Sequence, residues 1–435
     1  MVKERQIFVT IVVSSWKGPT VTNMFKHLCS GNFKPVAAEI VLFPYIAKNR
    51  KPIIMRKILI IIGAALVVLV ADLAIMPSTR YVFKALIYQK PDIYDGDIFP
   101  KAVVASSGKG LDLTQSNIPE KPLPDSLLKQ LDLYRTTAFI VVKDSSVRYE
   151  HYFLDGGRDS LSNAFSATKS IVALLIGSAI SDGVIHSVDD SISTYLPELK
   201  GNELGTVRIS DLLSMSSGIK WDEGYSSLFA PVTRAYYGTD LRGQMLALTT
   251  KEAPGRTFEY QSCNTQLLAM VLEGATHISL AQYASQKLWK PLGAVQSAFW
   301  SLDAKGGMPK AYCCFYATAR DFARVGLLVL NHGKSKSGET LVDSSYIARM
   351  VLPDTLLVDE NGKRVNFYGY HWWLIRYKGH QVYYARGILG QYIFVVPSEN
   401  MVVVRLGHER SKLRTGHHPN DIFSYLEAAF EIINH

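Results

Sequence analysis

Between Ile171 and Ile180 the chain reads Ile-Val-Ala-Leu-Leu-Ile-Gly-Ser-Ala-Ile, apolar on nearly every helical face. That pattern predicts a helix buried all round, not an amphipathic surface helix. Ser162 and Asn163 ahead of it can cap a helix start, and Gly183 behind it can stop one. Elsewhere the apolar runs are shorter and bounded by turn signals. Ala138–Val142 and Val147–Phe153 flank Lys143-Asp144-Ser145-Ser146, which predicts a β-hairpin. Further strands are predicted over Tyr368–Ile375, Gln381–Arg386, Gln391–Val396 and Met401–Leu406. Turn signals near Lys378-Gly379, at Gly387–Gly390 and at Pro397–Asn400 separate them. A short helix is expected from Pro124 to Tyr134 and an amphipathic one from Asn420 to Ile433. The stretch 163–350 reads as mostly helical, with Ile209–Leu213, a helix after Asn264, and Ala317–Leu328. Strands towards both ends with helices between them predict an α+β fold: an antiparallel sheet built from both chain ends, carrying a large helical insertion.

A second apolar run, Ile58 to Met76, is interrupted only by Asp72. As a helix it would span roughly 28 Å, close to the hydrocarbon thickness of a bilayer. Lys48, Arg50, Lys51, Arg56 and Lys57 crowd its N-terminal side. The expectation is an N-terminal transmembrane helix, an uncleaved signal anchor over 55–76, touching the membrane through 58–76. The body then lies on the periplasmic, extracytoplasmic side. Residues 77–119 are expected as a linker that then wraps the domain, and 120–435 as that domain. Residues 1–54 form a basic extension, and Met55-Arg56-Lys57 already resembles the start of a signal sequence, so Met55 is the expected true start.

This reading changes the meaning of the charge. The net charge is +9, but residues 1–57 hold ten Lys/Arg and two Glu, a local +8. The near-neutral remainder argues against a nucleic-acid-binding body. A chain of 435 residues can build its core without disulfides or metal. The four cysteines make no framework: Cys29 lies in the extension, the body's three leave no obvious pairing, and adjacent Cys313 and Cys314 are expected as small buried hydrophobes. No Cys/His spacing suggests zinc, and no cofactor is expected. Oligomeric state is left open.

The candidate chemistry sits at the head of the apolar helix. Ser166-Ala167-Thr168-Lys169 places a hydroxyl and an amine three residues apart, on one helical face. A serine needs a nearby base to become a nucleophile, and a lysine held at the edge of a buried helix can serve. Ser-x-x-Lys also occurs at Ser14/Lys17, Ser106/Lys109, Ser126/Lys129 and Ser217/Lys220, but none of these leads into such a helix. Acyl transfer needs two further parts, a proton relay and an oxyanion-binding strand. Pro254-Gly255 opens a loop carrying Tyr260, and a tyrosine beside an ammonium can shuttle protons. Tyr384-Ala385-Arg386-Gly387-Ile388-Leu389-Gly390 ends a strand on a glycine, where substrate can approach the backbone. The N–H groups of Ile388 and Ser166 could form the oxyanion hole.

In this order and spacing, the three segments resemble the serine β-lactamase/penicillin-binding-protein superfamily. The likeness is greatest to its class C-like branch of esterases and 6-aminohexanoate-dimer hydrolases. Val188–Asp190 with Tyr195–Leu199, Arg208–Gly218 and Tyr316–Asp321 support it, and the resemblance covers about residues 120–430. It implies a β-lactamase/DD-peptidase-like fold. It implies Ser166 as acylated nucleophile, Lys169 as its base partner, Tyr260 as the tyrosine of a Tyr-x-Asn motif and Ile388 as second oxyanion donor. Ser262, Ala385 and Gly387 would border the substrate. Two departures bear on specificity. Ser262 stands where the family often has Asn, and Ala385-Arg386-Gly387 replaces Lys-Thr-Gly, so the cation that faces a substrate carboxylate is missing. Arg386 should point to the opposite face from Ala385. The expected function is a serine hydrolase forming an acyl-enzyme on a small ester or amide, with Trp221, Trp372 and Trp373 as candidate cleft walls. The alternatives are a β-lactamase or D-Ala-D-Ala carboxypeptidase, and a non-catalytic envelope sensor of the same fold. A Ser-His-Asp enzyme is the weakest fit, because His186, His371 and His380 lack a triad context and no Gly-x-Ser-x-Gly elbow is present.

Overall fold

The computed structural model describes residues 53–434 except 77–78, 109, 111 and 226. The expectations for the basic extension, including Cys29, therefore fall outside the described residues. The chain divides into two units, Met1–Ala74 and Ile75–His435.

The first unit is described through the helix Ile53–Ile75. Its apolar side chains, among them Ile58–Ile62 and Leu66–Val68, are exposed. Among the described residues no helix is long and apolar enough to cross a membrane. The expected transmembrane span over 58–76 is corrected to that extent.

In the second unit, the strand Met401–Gly407 pairs antiparallel with Thr136–Lys143 on one side and Gln391–Val396 on the other. The two chain ends therefore meet at the middle of a seven-stranded sheet. Outward from there run Ser146–Tyr152 and a short parallel strand Thr114–Gln115 on one flank, and His380–Gly387 and Trp373–Tyr377 on the other. The hairpin turn is tight, with Asp144 and Ser145 both at positive φ. Both faces of the central strands are apolar because both are covered. Ile140, Val142, Ile393, Val395, Val402 and Val404 join the helical core, whereas Phe139, Val141, Phe394 and Val403 pack beneath the closing helix Asp421–Ile433. On the inner face the helix Ala319–Leu330 crosses closely at Gly326, where a Cβ would meet Val402 Cγ1 at 2.5 Å.

Three features depart from expectation. A second, four-stranded sheet joins Lys101–Val104, Ala298–Ser301, Phe315–Ala317 and Ser162–Asn163. Its strands are two to four residues long, too short for a periodic signal. The stretch expected as a linker over 77–119 carries the helix Arg80–Tyr88 and part of both sheets, and it buries Val82, Ala85, Ile93, Phe99 and Leu113. Cys313 and Cys314 are buried as expected, yet they are bonded to each other, across a Cα–Cα distance of 3.8 Å. That spacing lies below the range usual for a disulfide, which is why the sequence argued against the bond; Cys314 accommodates it at a φ of 66°.

Candidate active site

The turn that presents Ser166 is set from outside the helix. Asn163 pairs with Tyr316 across the small sheet, its Oδ1 accepts from the Phe165 N–H at 2.8 Å, and its Nδ2 donates to the Tyr316 hydroxyl at 3.0 Å. Asn163 thus ties the turn to the strand it shares with Ser162, and neither residue is the N-cap of the 3₁₀ turn or of the helix, whose caps are Ala164 and Ala167. Phe165 is held at a φ of 46°, an unfavourable conformation for a bulky residue that buried packing enforces. The chain then enters a single 3₁₀ turn, Phe165–Ala167, and the helix Thr168–Ser181, buried from Thr168 to Ala179. Ser166 remains half-buried at the rim, and Lys169, one turn on, is 1% exposed.

The Lys169 Nζ lies 3.1 Å from Ser166 Oγ, 3.3 Å from Ser262 Oγ and 2.8 Å from the Tyr312 carbonyl. Three acceptors match the three N–H bonds of an ammonium. Ser262 opens the helix Ser262–Thr276. It is 1% exposed and turns inward, its hydroxyl donating to Glu223 Oε1 at 2.5 Å and its N–H to Oε2 at 2.8 Å. Trp221 Nε1 and the Tyr225 hydroxyl donate to the same carboxylate. The ring of Tyr260 stands 5.2 Å from Lys169 Nζ, within reach of a cation–π contact, and packs against Tyr368 and Trp373.

On the far side of Ser166, the strand His380–Gly387 comes so close that a Cβ on Gly387 would lie 2.2 Å from the Ala164 carbonyl oxygen. Glycine is required there by contact, not by its φ. The loop that follows is anchored from beneath. Gln391 Nε2 donates to the carbonyls of Ile388 and Gly407. Arg405, wholly buried, donates through Nη1 to the carbonyls of Leu389, Gly390 and Glu409, through Nε to Thr136 Oγ1, and through Nη2 to the Tyr134 carbonyl. Every donor atom of that guanidinium is used, which is what allows a cation to be buried without a bonded carboxylate.

Ser166 and Ile388 line one cleft, of about 750 Å³ with its mouth included. Its other walls include Phe165, Leu228, Val232, Tyr236, Tyr237 and Tyr312, and none of its lining residues is charged. Not every expected site residue reaches it. Ala385 is fully buried in the helical core and does not line the cleft, and Ser262 bonds Lys169 and Glu223 instead of facing it. Arg386 does point away from Ala385: its guanidinium lies 3.3 Å from the Trp373 ring centroid and donates to the His417 carbonyl. The tryptophans expected as walls have other partners: Trp221 holds Glu223, Trp372 is fully buried, and Trp373 backs Tyr260.

Among the described residues, no histidine is hydrogen-bonded to Ser166. His371 is buried with Nε2 2.9 Å from Thr265 Oγ1, and burial first, then the Lys169 charge, pull its pKa down to about 3. Neutral and turned to Thr265, it offers Ser166 no base. His186 bonds Tyr195, and His380 bonds Ser398. Two contributors escaped the sequence reading. Glu223 lies in a non-periodic loop and carries no local signal. Arg405 does carry one, a cation inside the apolar strand Met401–Leu406, since a buried charge needs a structural reason.

Residues 125–421 match the family model described as Beta-lactamase. The chain is 28% identical over 305 residues to the 6-aminohexanoate-dimer hydrolase of Paenarthrobacter ureafaciens, an alignment spanning 65% of this chain and 75% of that protein. Among solved structures, a family VIII carboxylesterase superposes with a TM-score of 0.55 at 16% identity, covering 73% of this chain and all of its own. A penicillin binding protein from Bacillus halodurans gives 0.53 at 16% identity, covering 71% of this chain and all of its own. At such identities the two structures speak to the fold alone, and they agree with the α+β architecture described above.

Proposed function

This chain belongs to the beta-lactamase family, and from that premise we propose that it is a serine hydrolase forming an acyl-enzyme on a small, uncharged ester or amide. The observation that carries the reading is the 3.1 Å contact between Ser166 Oγ and Lys169 Nζ at the edge of an uncharged cleft. Ser166 attacks the carbonyl carbon while Lys169 takes its proton. The N–H groups of Ile388 and Ser166 receive the developing oxyanion. Tyr260, beside the ammonium, passes a proton to the leaving group. Water then repeats the sequence on the acyl-enzyme and frees Ser166. The similarity to a 6-aminohexanoate-dimer hydrolase makes a short amide the first alternative to an ester. The uncharged lining, and Ala385 where a cation would meet a carboxylate, weigh against β-lactams and peptidoglycan stems.

Exposure to a fluorophosphonate probe and p-nitrophenyl acetate tests the proposal by intact mass. One adduct with ester turnover is expected for the wild type, and neither for Ser166→Ala. No adduct from a folded sample would favour the sensor reading, and rapid turnover of a chromogenic cephalosporin the β-lactamase one.

We also place the body outside the cytoplasm. The sequence supports this with its apolar run behind a basic flank. Protease added to intact cells is expected to digest the body, and full protection would refute the placement.

A further inference from the structure

We propose that Glu223 acts through Ser262 as the proton acceptor that frees Lys169 to serve as base. The inference rests on the serine-hydrolase reading above. Lys169 donates to three groups, and one of them, Ser166, is the group it must deprotonate. It can do so only after losing a proton of its own. The Tyr312 carbonyl leads nowhere. Ser262 leads to a carboxylate. Its single hydroxyl proton points to Glu223 Oε1, 2.5 Å away, because an ionised carboxylate only accepts. Its lone pair therefore faces Lys169 Nζ, at 3.3 Å. The result is a directed chain, Nζ–H to Oγ–H to Oε1.

One shift along that chain breaks an Nζ–H bond and forms an Oγ–H bond on Ser262. In the same step the original Ser262 proton moves to Glu223. Lys169 becomes an amine, Glu223 a carboxylic acid, and Ser262 is unchanged. The amine then takes the Ser166 proton as the Oγ–C bond forms, and the resulting ammonium gives it, through Tyr260, to the leaving group as that group departs. In deacylation the amine takes a proton from water and returns it to Ser166 Oγ.

Glu223 is placed for this role and not for a surface ion pair. It has no Lys, Arg or His partner among the described ion pairs. Trp221 Nε1 at 2.7 Å and the Tyr225 hydroxyl at 2.5 Å fix its orientation.

The test compares phosphonylation rates at Ser166, and kcat and KM on p-nitrophenyl acetate, for wild type, Glu223→Gln, Glu223→Asp and Ser262→Ala. Glutamine keeps the size and one acceptor oxygen but takes no proton. It is expected to slow phosphonylation and kcat about 100-fold, the scale of a lost proton-transfer partner, with KM within about threefold. Aspartate should recover at least about a tenth of the wild-type rate. Ser262→Ala cuts the chain at its middle and should match Gln, and the double variant should lose no more than either single. A glutamine variant labelled at the wild-type rate overturns the relay while leaving the hydrolase reading intact. An unlabelled wild type overturns both.

Discussion

Lys169→Met is expected to lose ester turnover by about 1,000-fold or more, yet to melt no lower than the wild type. Methionine matches the length of the lysine stem and brings no proton-accepting nitrogen, so Ser166 is left without a base, a loss at the large end of measured general-base effects. Stability should follow other terms. Lys169 is 1% exposed, so the folded state carries the cost of removing an ammonium from water. Against this stand its contacts to Ser166, Ser262 and the Tyr312 carbonyl. Ser262 keeps Glu223 as acceptor and Ser166 lies at the rim, so the buried acceptors that lose their donor are the Tyr312 carbonyl and the Ser262 Oγ lone pair, each worth about 1–3 kcal/mol. Desolvation relief of similar or larger size offsets that. Steady-state kinetics with a thermal melt checks both halves, and more than a tenth of wild-type turnover would remove Lys169 from the mechanism.

Gly387→Ala should be damaging for a geometric reason. The new Cβ would lie 2.2 Å from the Ala164 carbonyl oxygen and 3.1 Å from the Gln391 Cβ. Ala164 is two residues before Ser166, and Gln391 holds the Ile388 carbonyl. To restore an ordinary contact, strand and turn must separate by about 1 Å, which misplaces the two candidate oxyanion donors relative to each other. A displacement of that size costs about 100-fold in rate, comparable to losing an oxyanion donor. Overpacking should add about 1–3 kcal/mol of destabilisation. The signature is a fall in kcat with a lowered melting temperature, and an alanine variant with wild-type kcat would show that this approach has no part in catalysis.

Much of the frame was legible from spacing. The hairpin around Asp144-Ser145 and the strands Gln391–Val396 and Met401–Gly407 appear almost where the short apolar runs and their turn signals put them, because strands buried on both faces read as unbroken apolar runs. Tyr368–Ile375 did not: only Trp373–Tyr377 is strand there, since the residues before it fold back through a single bridge between Tyr368 and Trp373. The small sheet was illegible for a different reason. The pair Ser162–Asn163 is two residues long, and its identity as a strand exists only in its pairing with Phe315–Ala317.

The candidate site divides along the same line. By itself the sequence determined the Ser166–Lys169 pair, because one helical turn fixes that contact wherever the helix goes. It also determined that the helix must be buried, and that Gly387 stands at a strand end. Only the tertiary structure decided that Lys169 meets Ser262, 93 positions away, and that Ser262 meets Glu223, 39 positions before it. It alone decided that Arg405 reaches under the Ile388 loop, that Cys313 and Cys314 are bonded, and that the walls around Ser166 carry no charge. Local geometry repeats with the period of the helix or strand and so leaves a trace in spacing. Contacts between distant segments depend on how the whole chain packs, and no spacing records that.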